Sequence, residues 1–230
     1  MTEKRVAIIQ SSYIPWKGYF DIIHDVDEFI FLDDVQFTRQ DWRSRNRIKS
    51  PNGLLWLTVP AGTSGSRRIC DVTLSNSAWQ SKHWKAIQQS YSRAPHFSHF
   101  RDFLEEVYVA KTWRSLSELN QFVIAEIATR YLGVTCRITD SREYNGQGQR
   151  QDRLIDILQK AGATHYLSGP AARDYIDPAG FAAAGIQLDY KVYGPYAEYP
   201  QLHGTFEHAV SILDLLFHVG ENAPRYIWGR

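Results

Sequence analysis

The chain contains little sulfur. Its 230 residues include two cysteines and one methionine. Cys70 and Cys136 are far apart in sequence, and each lies in a run that is typical of a strand. Small secreted domains that depend on disulfides carry many more cysteines. We therefore expect two free, buried thiols and a protein of the reducing cytoplasm.

Long apolar runs and an excess of one charge are also missing. The first apolar run covers about four residues, whereas roughly 20 are needed to span a bilayer, and no signal peptide is visible. The net charge is +1 at pH 7, so no overall field attracts nucleic acid or a membrane. No spacing of histidine, cysteine and aspartate matches a zinc site. We therefore expect no nucleic-acid partner, no membrane attachment and no metal site.

The remaining composition is that of a globular protein. Charged residues make up 22% and hydrophobic residues 43%, and the chain is long enough for one domain, residues 1–230, with an ample core. Aromatic residues reach 13%, with seven Trp and thirteen Tyr. Such a content suits a protein that handles sugars or flat rings, although a bulky core and scattered surface rings would explain it equally well.

The N-terminal region predicts a βαβ unit. Residues 6–9 and 29–32 are short apolar runs and predict buried strands. Pro15 and Gly18 break the chain between them, and residues 19–23 have the apolar spacing of a helix. Such strands run parallel with a right-handed crossover. Ligands of open α/β sheets bind beyond the carboxyl ends of the strands. Here those ends carry Gln10, Tyr13, Trp16, Tyr19, Asp33, Asp34 and Gln36.

The later part of the chain alternates between strand and helix patterns. Strands are predicted at 54–59, 69–74, 134–139, 164–168 and 186–193, and helices at 78–93, 97–109, 115–131, 152–161, 178–184 and 211–219. We therefore predict an α/β fold with a Rossmann-like parallel-sheet core. Residues 76–133 are predicted to form a helical insertion within this single domain.

Three residues are candidates for acid–base chemistry. Asp33 and Asp34 are adjacent in an extended segment, so their side chains point to opposite faces. One could accept a proton from an amine or hold a divalent ion while the other anchors the fold, or both could cap the chain. His83 is the candidate general base because histidine titrates near neutral pH. A lone helical histidine is, however, more often structural.

Basic residues cluster directly after the second predicted strand, where arginine can bind phosphate bidentately. The residues predicted to bind substrate here are Arg39, Trp42, Arg43, Arg45, Asn46 and Lys49. The alternative is a solvated basic loop. Two further segments could bind an anion through backbone N–H groups. These are the loop 62–66, followed by Arg67 and Arg68, and Ser168 with Gly169; a hairpin connection and a tight turn are the respective alternatives.

Several segments together resemble the WbqC-like family, bacterial proteins often encoded with O-antigen biosynthesis enzymes. They are AIIQ at 7–10, YIPWKGYF at 13–20, LDDVQF at 32–37, WRSRNRI at 42–48, WLTVP at 56–60, KHW at 82–84, YLSG at 166–169, DYID at 174–177 and SILD at 211–214. The family often has Gln-Pro-Tyr after the first strand, whereas this chain has Gln10-Ser11-Ser12-Tyr13. The resemblance implies transfer of an amino acid, such as glycine, onto an amino sugar.

We accordingly expect a transferase that moves an activated acyl or aminoacyl group onto the amine of a nucleotide-linked amino sugar. The acyl donor, carrier-linked or nucleotide-linked, is a co-substrate, no cofactor is tightly bound, and a carrier protein is a candidate partner. The opening also resembles pantothenate synthetases and other nucleotidylyl transferases. Their His-x-Gly-His motif is replaced by Trp16-Lys17-Gly18-Tyr19. An ATP-dependent ligase or nucleotidylyl transferase is therefore one alternative, and a non-catalytic sugar-nucleotide or carrier-binding module is another.

Overall fold

The structure is a computed structural model that describes residues 3–62 and 66–229. Its strands are β1 (Arg5–Ile9), β2 (Glu28–Phe31), β3 (Arg45–Ser50), β4 (Gly53–Thr58), β5 (Arg137–Asp140), β6 (His165–Ser168) and β7 (Gln187–Tyr190). Within the described residues, five of them form a parallel sheet in the order β5-β2-β1-β6-β7. The other two pair as an antiparallel hairpin.

Helices connect and cover the sheet. They are α1 (Lys17–His24), α2 (Ala78–Tyr91), α3 (Arg101–Glu105), α4 (Leu116–Glu126), α5 (Arg150–Lys160), α6 (Pro178–Ala183) and α7 (Ile212–Val219). α3 and α4 each continue into a wider π-helical turn, at Glu106–Ala110 and Ile127–Tyr131. In the described part of the chain, none of the helices is long and apolar enough to cross a bilayer.

The central strands are buried on both faces. Ala7, Phe29 and Phe31 pack in one core cluster with residues of α1, α2, α4 and α7. Val6, Ile8 and Ile30 alternate with them and pack in a second cluster with α5 and α6. This alternation, with period two, explains why the strands have no polar face. The fold is therefore α/β with helices on both faces of a parallel sheet.

The predicted βαβ unit is confirmed, because β1 and β2 pair in parallel with α1 between them. The predicted strand at 69–74 is wrong: Ile69–Asp71 forms a 3₁₀ turn, which contains Cys70. Ile69 and Val72 are both fully buried, and their separation of three matches the period of a 3₁₀ turn. The predicted phosphate-binding loop falls largely on residues 63–65, which lie outside the described residues.

The strand order places a topological switch point between β1 and β6. β1 continues through α1 to β2 on one side, whereas β6 continues through α6 to β7 on the other side. The two connecting helices belong to opposite core clusters. In open α/β sheets, the crevice at such a point is the usual ligand site. Gln10 follows β1 at this position, and Ser168 ends β6.

Candidate functional site

The carboxyl ends of β1 and β2 are tied together. The backbone N–H of Ser11 donates to Asp33 Oδ1 at 2.9 Å, so the loop after one strand is held by the side chain after the other. Gln10 Oε1 accepts a hydrogen bond of 2.7 Å from Arg43 Nη1, and its backbone carbonyl accepts one of 2.9 Å from Tyr19 Oη. The structure therefore brings Gln10, Tyr19, Asp33 and Arg43 to one edge of the sheet.

Asp33 is fully buried and accepts further hydrogen bonds from α4. Ser117 Oγ donates to Asp33 Oδ2 at 2.5 Å, and Gln121 Nε2 donates to the same oxygen at 2.9 Å. With the Ser11 N–H, three donors stabilise one carboxylate. Hydrogen bonds of this kind offset the cost of burying a polar group. Asp33 therefore fastens α4 and the β1 loop to the end of β2.

Asp34 points the other way, as the alternation along an extended segment predicts. It accepts a hydrogen bond of 2.7 Å from Ser141 Oγ, just after β5, and forms an ion pair with Arg153 on α5. Its side chain is 7% exposed. The two adjacent carboxylates thus bind groups from different layers: Asp33 is held by α4 and the loop after β1, and Asp34 by α5 and the segment after β5.

A groove of about 980 Å³ lies beyond β2 and beside the hairpin. It is lined by residues 36–40, 44–45 and 58–62. Three residues that the sequence predicts to bind substrate, Gln36, Arg39 and Arg45, line it directly. Arg43 precedes the lining residue Ser44 in the chain, and its guanidinium donates to Gln10. Drug-sized and cofactor ligands occupy cavities of this order of volume.

Arg67 lies beside this groove. Its guanidinium stacks on the ring of Phe37, with Cζ 5.6 Å from the ring centroid. A Cβ atom added to Gly62 would lie only 3.1 Å from Arg67 Nη2. The Nε and Nη2 atoms are buried and have no hydrogen-bond partner among the residues that the structure describes. Guanidinium groups match phosphate oxygens in charge and geometry, so this group is suited to an anionic ligand.

Comparison with known proteins identifies the chain's relatives. Residues 10–226 match the model of the WbqC-like protein family. The chain belongs to the WbqC-like protein family. It is 45% identical, over 97% of both chains, to the uncharacterized protein Rv1507c of Mycobacterium tuberculosis (strain ATCC 25618 / H37Rv). No solved structure matches the chain. In this WbqC-like protein, the segment LDDVQF directly follows β2 and ends in the wall of the groove. The segment WRSRNRI contributes Ser44 and Arg45 to the same wall and runs into the first strand of the hairpin.

His83 lies on α2 and is enclosed within the protein. Its Nδ1 is 2.9 Å from Tyr13 Oη, which is in turn 2.7 Å from Tyr108 Oη. Burial lowers the pKa of His83 from 6.5 to about 4, and a hydrogen bond to the backbone of Thr58 opposes this shift. Burial likewise raises the pKa of Tyr13 well above 10. His83 is therefore neutral at pH 7 and holds Tyr13 in place.

This pKa shift predicts a pH dependence of stability. Between pH 6.5 and about 4 the unfolded chain protonates His83 and the folded chain does not, so stability falls as the pH falls through this window. We expect His83 to contribute about 2–3 kcal/mol to the loss. Urea unfolding of His83→Gln at pH 7 and pH 4.5 should show a correspondingly smaller loss than the unsubstituted protein. His99→Gln, at an exposed position, should not.

The other predicted site residues are more dispersed. Asn46 is buried, and its amide donates to the carbonyls of Tyr13 and Ile14 at 3.1 and 2.9 Å. Trp16 packs edge-on against Tyr193. The remaining predicted positions are Trp42, exposed just before the hairpin; Lys49, which donates to Gln201 and Thr205; and Ser168 with Gly169 at the end of β6. Gln10, Asp33 and Arg43 thus cluster, whereas Lys49 lies in a separate region.

Lys17 is a residue that the sequence prediction missed. It is 3% exposed, and its Nζ has no hydrogen-bond partner within residues 3–62 and 66–229. The rings of Tyr196, Tyr199 and Phe206 surround Nζ at 4.9, 5.3 and 5.8 Å. Burial lowers the pKa of Lys17 from 10.5 to about 8, and the charge of Asp214 opposes this effect. One signal was present in the sequence: a cation in the first turn of a helix is unfavourable.

Among the described residues, no group of three or more His, Cys, Asp or Glu is arranged to hold a metal ion.

Proposed function

We propose that this protein transfers an activated acyl or aminoacyl group, such as glycyl, onto the amine of a nucleotide-linked amino sugar. The observation that carries the proposal is the groove of about 980 Å³ with Arg39 and Arg45 in its wall. Beside it lies Arg67, whose Nε and Nη2 atoms have no hydrogen-bond partner among the described residues. A nucleotide-linked sugar offers a diphosphate to such arginines. Membership of the WbqC-like family, through the role proposed for that family, supports the same substrate class.

The network at the strand ends supports a positioning role for two of the proposed catalytic residues. Asp33 and His83 are buried and have partners on α4 and at Tyr13, so neither offers an exposed atom to a substrate. In the proposal they fix the loop after β1, which carries Gln10 and its bonded Arg43. A fixed donor array at a developing oxyanion stabilises a tetrahedral intermediate. We therefore propose that Gln10 and Arg43 contact the reacting groups.

The reaction can be tested directly. The protein is incubated with glycyl thioester on a phosphopantetheinyl carrier and with UDP-linked or dTDP-linked 4-amino sugars, and the products are separated by mass spectrometry. The expected product is the amide, with release of the carrier thiol, and Arg43→Ala should abolish most of it. If no amide forms with several donors and acceptors while the substrates still bind, the protein is a binding module and the transferase proposal fails.

Phosphate binding in the groove is a separate prediction. Arg67→Ala should weaken the binding of UDP about tenfold or more in isothermal titration calorimetry, because a hydrogen bond to a charged group is worth about 1.5–3 kcal/mol. Arg93→Ala is the matched control, since Arg93 is exposed at the end of α2. Equal affinities of the two variants would show that Arg67 does not bind the phosphate.

The nucleotidylyl transferase alternative has less support from the geometry. In those enzymes, the residues that open the first helix hold the phosphates of ATP. Here the corresponding charged residue, Lys17, is enclosed by three aromatic rings and is 3% exposed. Its ammonium is directed into the protein and is not presented to a phosphate. Release of pyrophosphate from ATP in the presence of an acyl acid would nevertheless reinstate this alternative.

A further inference from the structure

The outer face of the hairpin carries an exposed aromatic surface. Arg47 pairs with Trp56 across the two strands, and Arg45 pairs with Thr58 one step along the same face. Trp42 precedes the hairpin, and its ring lies 5.6 Å from that of Trp56 at an angle of 34°. We call Trp42, Arg45, Arg47 and Trp56 the tryptophan platform.

The platform leaves large apolar groups in water. Trp42 is 44% and Trp56 42% exposed, although burial of an indole is one of the largest apolar gains available to a side chain. Arg45 and Arg47 stack on Trp56, with Cζ at 4.4 and 5.6 Å from its ring. These contacts hold Trp56 in one orientation. An ordered, exposed, electron-rich ring is suited to stacking against a planar ligand.

The platform is continuous with the groove. Arg45 belongs to both, since it lines the groove and stacks on Trp56. Its strand partner Thr58 also lines the groove. Arg45 therefore marks the place where the groove meets the platform. A ligand whose phosphates contact the groove arginines can extend past Arg45 and contact the tryptophans.

We propose that the tryptophan platform binds the base of a nucleoside diphosphate whose phosphates lie in the groove. This inference rests on the proposed function, because it assumes phosphate in the groove. The orientation follows from the chemistry: acyl transfer to an amine benefits from exclusion of water, so the sugar lies inward and the unreactive base lies outward. Bases stack on aromatic rings with little dependence on their identity. The platform thus supplies affinity for the nucleoside part, while the groove supplies affinity for the diphosphate.

The test compares three probes by isothermal titration calorimetry: UDP, inorganic pyrophosphate, and glucosamine 1-phosphate. We expect Trp56→Ala to weaken UDP binding about tenfold and to leave the binding of pyrophosphate unchanged. Trp56→Phe, which keeps a stacking ring, should restore most of the affinity. Tyr175→Ala is the control, because Tyr175 is an aromatic residue that is 76% exposed. Circular dichroism melting of each variant verifies that the protein is folded.

Each other outcome contradicts a defined part of this proposed binding mode. If Trp56→Ala leaves UDP binding unchanged, the platform does not hold the base, although the groove can still bind phosphate. If the substitution weakens glucosamine 1-phosphate as much as UDP, the platform holds the sugar and the inference is wrong. If the unsubstituted protein binds neither UDP nor pyrophosphate, the proposed function fails together with the inference.

Discussion

Replacement of Asp33 by alanine is expected to lower the free energy of unfolding by about 3–5 kcal/mol. The carboxylate is fully buried, and its loss would leave the Ser11 N–H, the Ser117 hydroxyl and the Gln121 amide without their acceptor. Each unsatisfied buried donor costs about 1–3 kcal/mol, and the loop after β1 would lose its attachment to β2. The measurement is urea unfolding at pH 7, followed by circular dichroism.

The control for this prediction is Asp174→Ala, because Asp174 is exposed and a surface substitution usually changes stability by less than about 0.5 kcal/mol. Asp33→Asn is the informative intermediate, because it keeps the shape of the side chain. It replaces one accepting oxygen by an NH₂ group, which cannot accept a hydrogen bond from the neighbouring donors. We expect a loss between those of the other two variants. A loss below about 1 kcal/mol for Asp33→Ala would mean that water or a neighbouring acceptor replaces the carboxylate.

The part of this network that could be predicted from the sequence is local. The apolar runs at 6–9 and 29–32 predict both strands, and the order along the chain predicts that their carboxyl ends are adjacent. Alternation predicts that Asp33 and Asp34 diverge, and their partners on α4 and α5 agree. The identity of those partners could not be predicted, because Ser117 and Arg153 are distant in sequence and the relevant patterns repeat on every amphipathic helix.

The hairpin illustrates the opposite case. Residues 45–50, RNRIKS, have no strand-like apolar pattern, and the sequence predicts a basic, substrate-binding segment here and no strand. They form β3 because each pairs with β4, from Arg45 opposite Thr58 to Ser50 opposite Gly53. Strand preference depends on cross-strand neighbours more than on the residues themselves. Hence the substrate-binding character of the arginines was predicted, but the surface that they form with Trp56 was not.

A second buried cluster surrounds Asp214 at the start of α7. This fully buried carboxylate accepts hydrogen bonds from Tyr91 Oη at 2.8 Å, Tyr199 Oη at 2.9 Å and Gln201 Nε2 at 2.8 Å. Lys17, enclosed by the aromatic rings, interacts with this carboxylate through its charge. The charge of Asp214 raises the pKa of Lys17, but burial lowers that pKa by more. Lys17, Tyr91, Tyr199 and Asp214 come from both ends and the middle of the chain, so no local pattern could predict the cluster.

The interdependence of Lys17 and Asp214 gives the second large effect. Asp214→Asn should destabilise the protein by about 3–5 kcal/mol at pH 7, because removal of one charge leaves a buried ammonium without compensation. Lys17→Met in that background should recover part of the loss, whereas Lys17→Met alone should stabilise the protein by about 1–2 kcal/mol. The double-mutant cycle is measured by urea unfolding, with the exposed Lys82→Met as the control.

The pH dependence identifies the charge as the cause. The folded-state pKa of Lys17 is about 8, and the ordinary value is 10.5. Between these values the unfolded chain holds a proton that the folded chain has released, so the stability contributed by this group rises with pH across that window. The advantage of Lys17→Met should therefore be full below pH 8 and vanish by about pH 10.5. If the advantage is the same at pH 7 and pH 10, the effect comes from packing of the methionine, and the ammonium of Lys17 does not destabilise the folded protein.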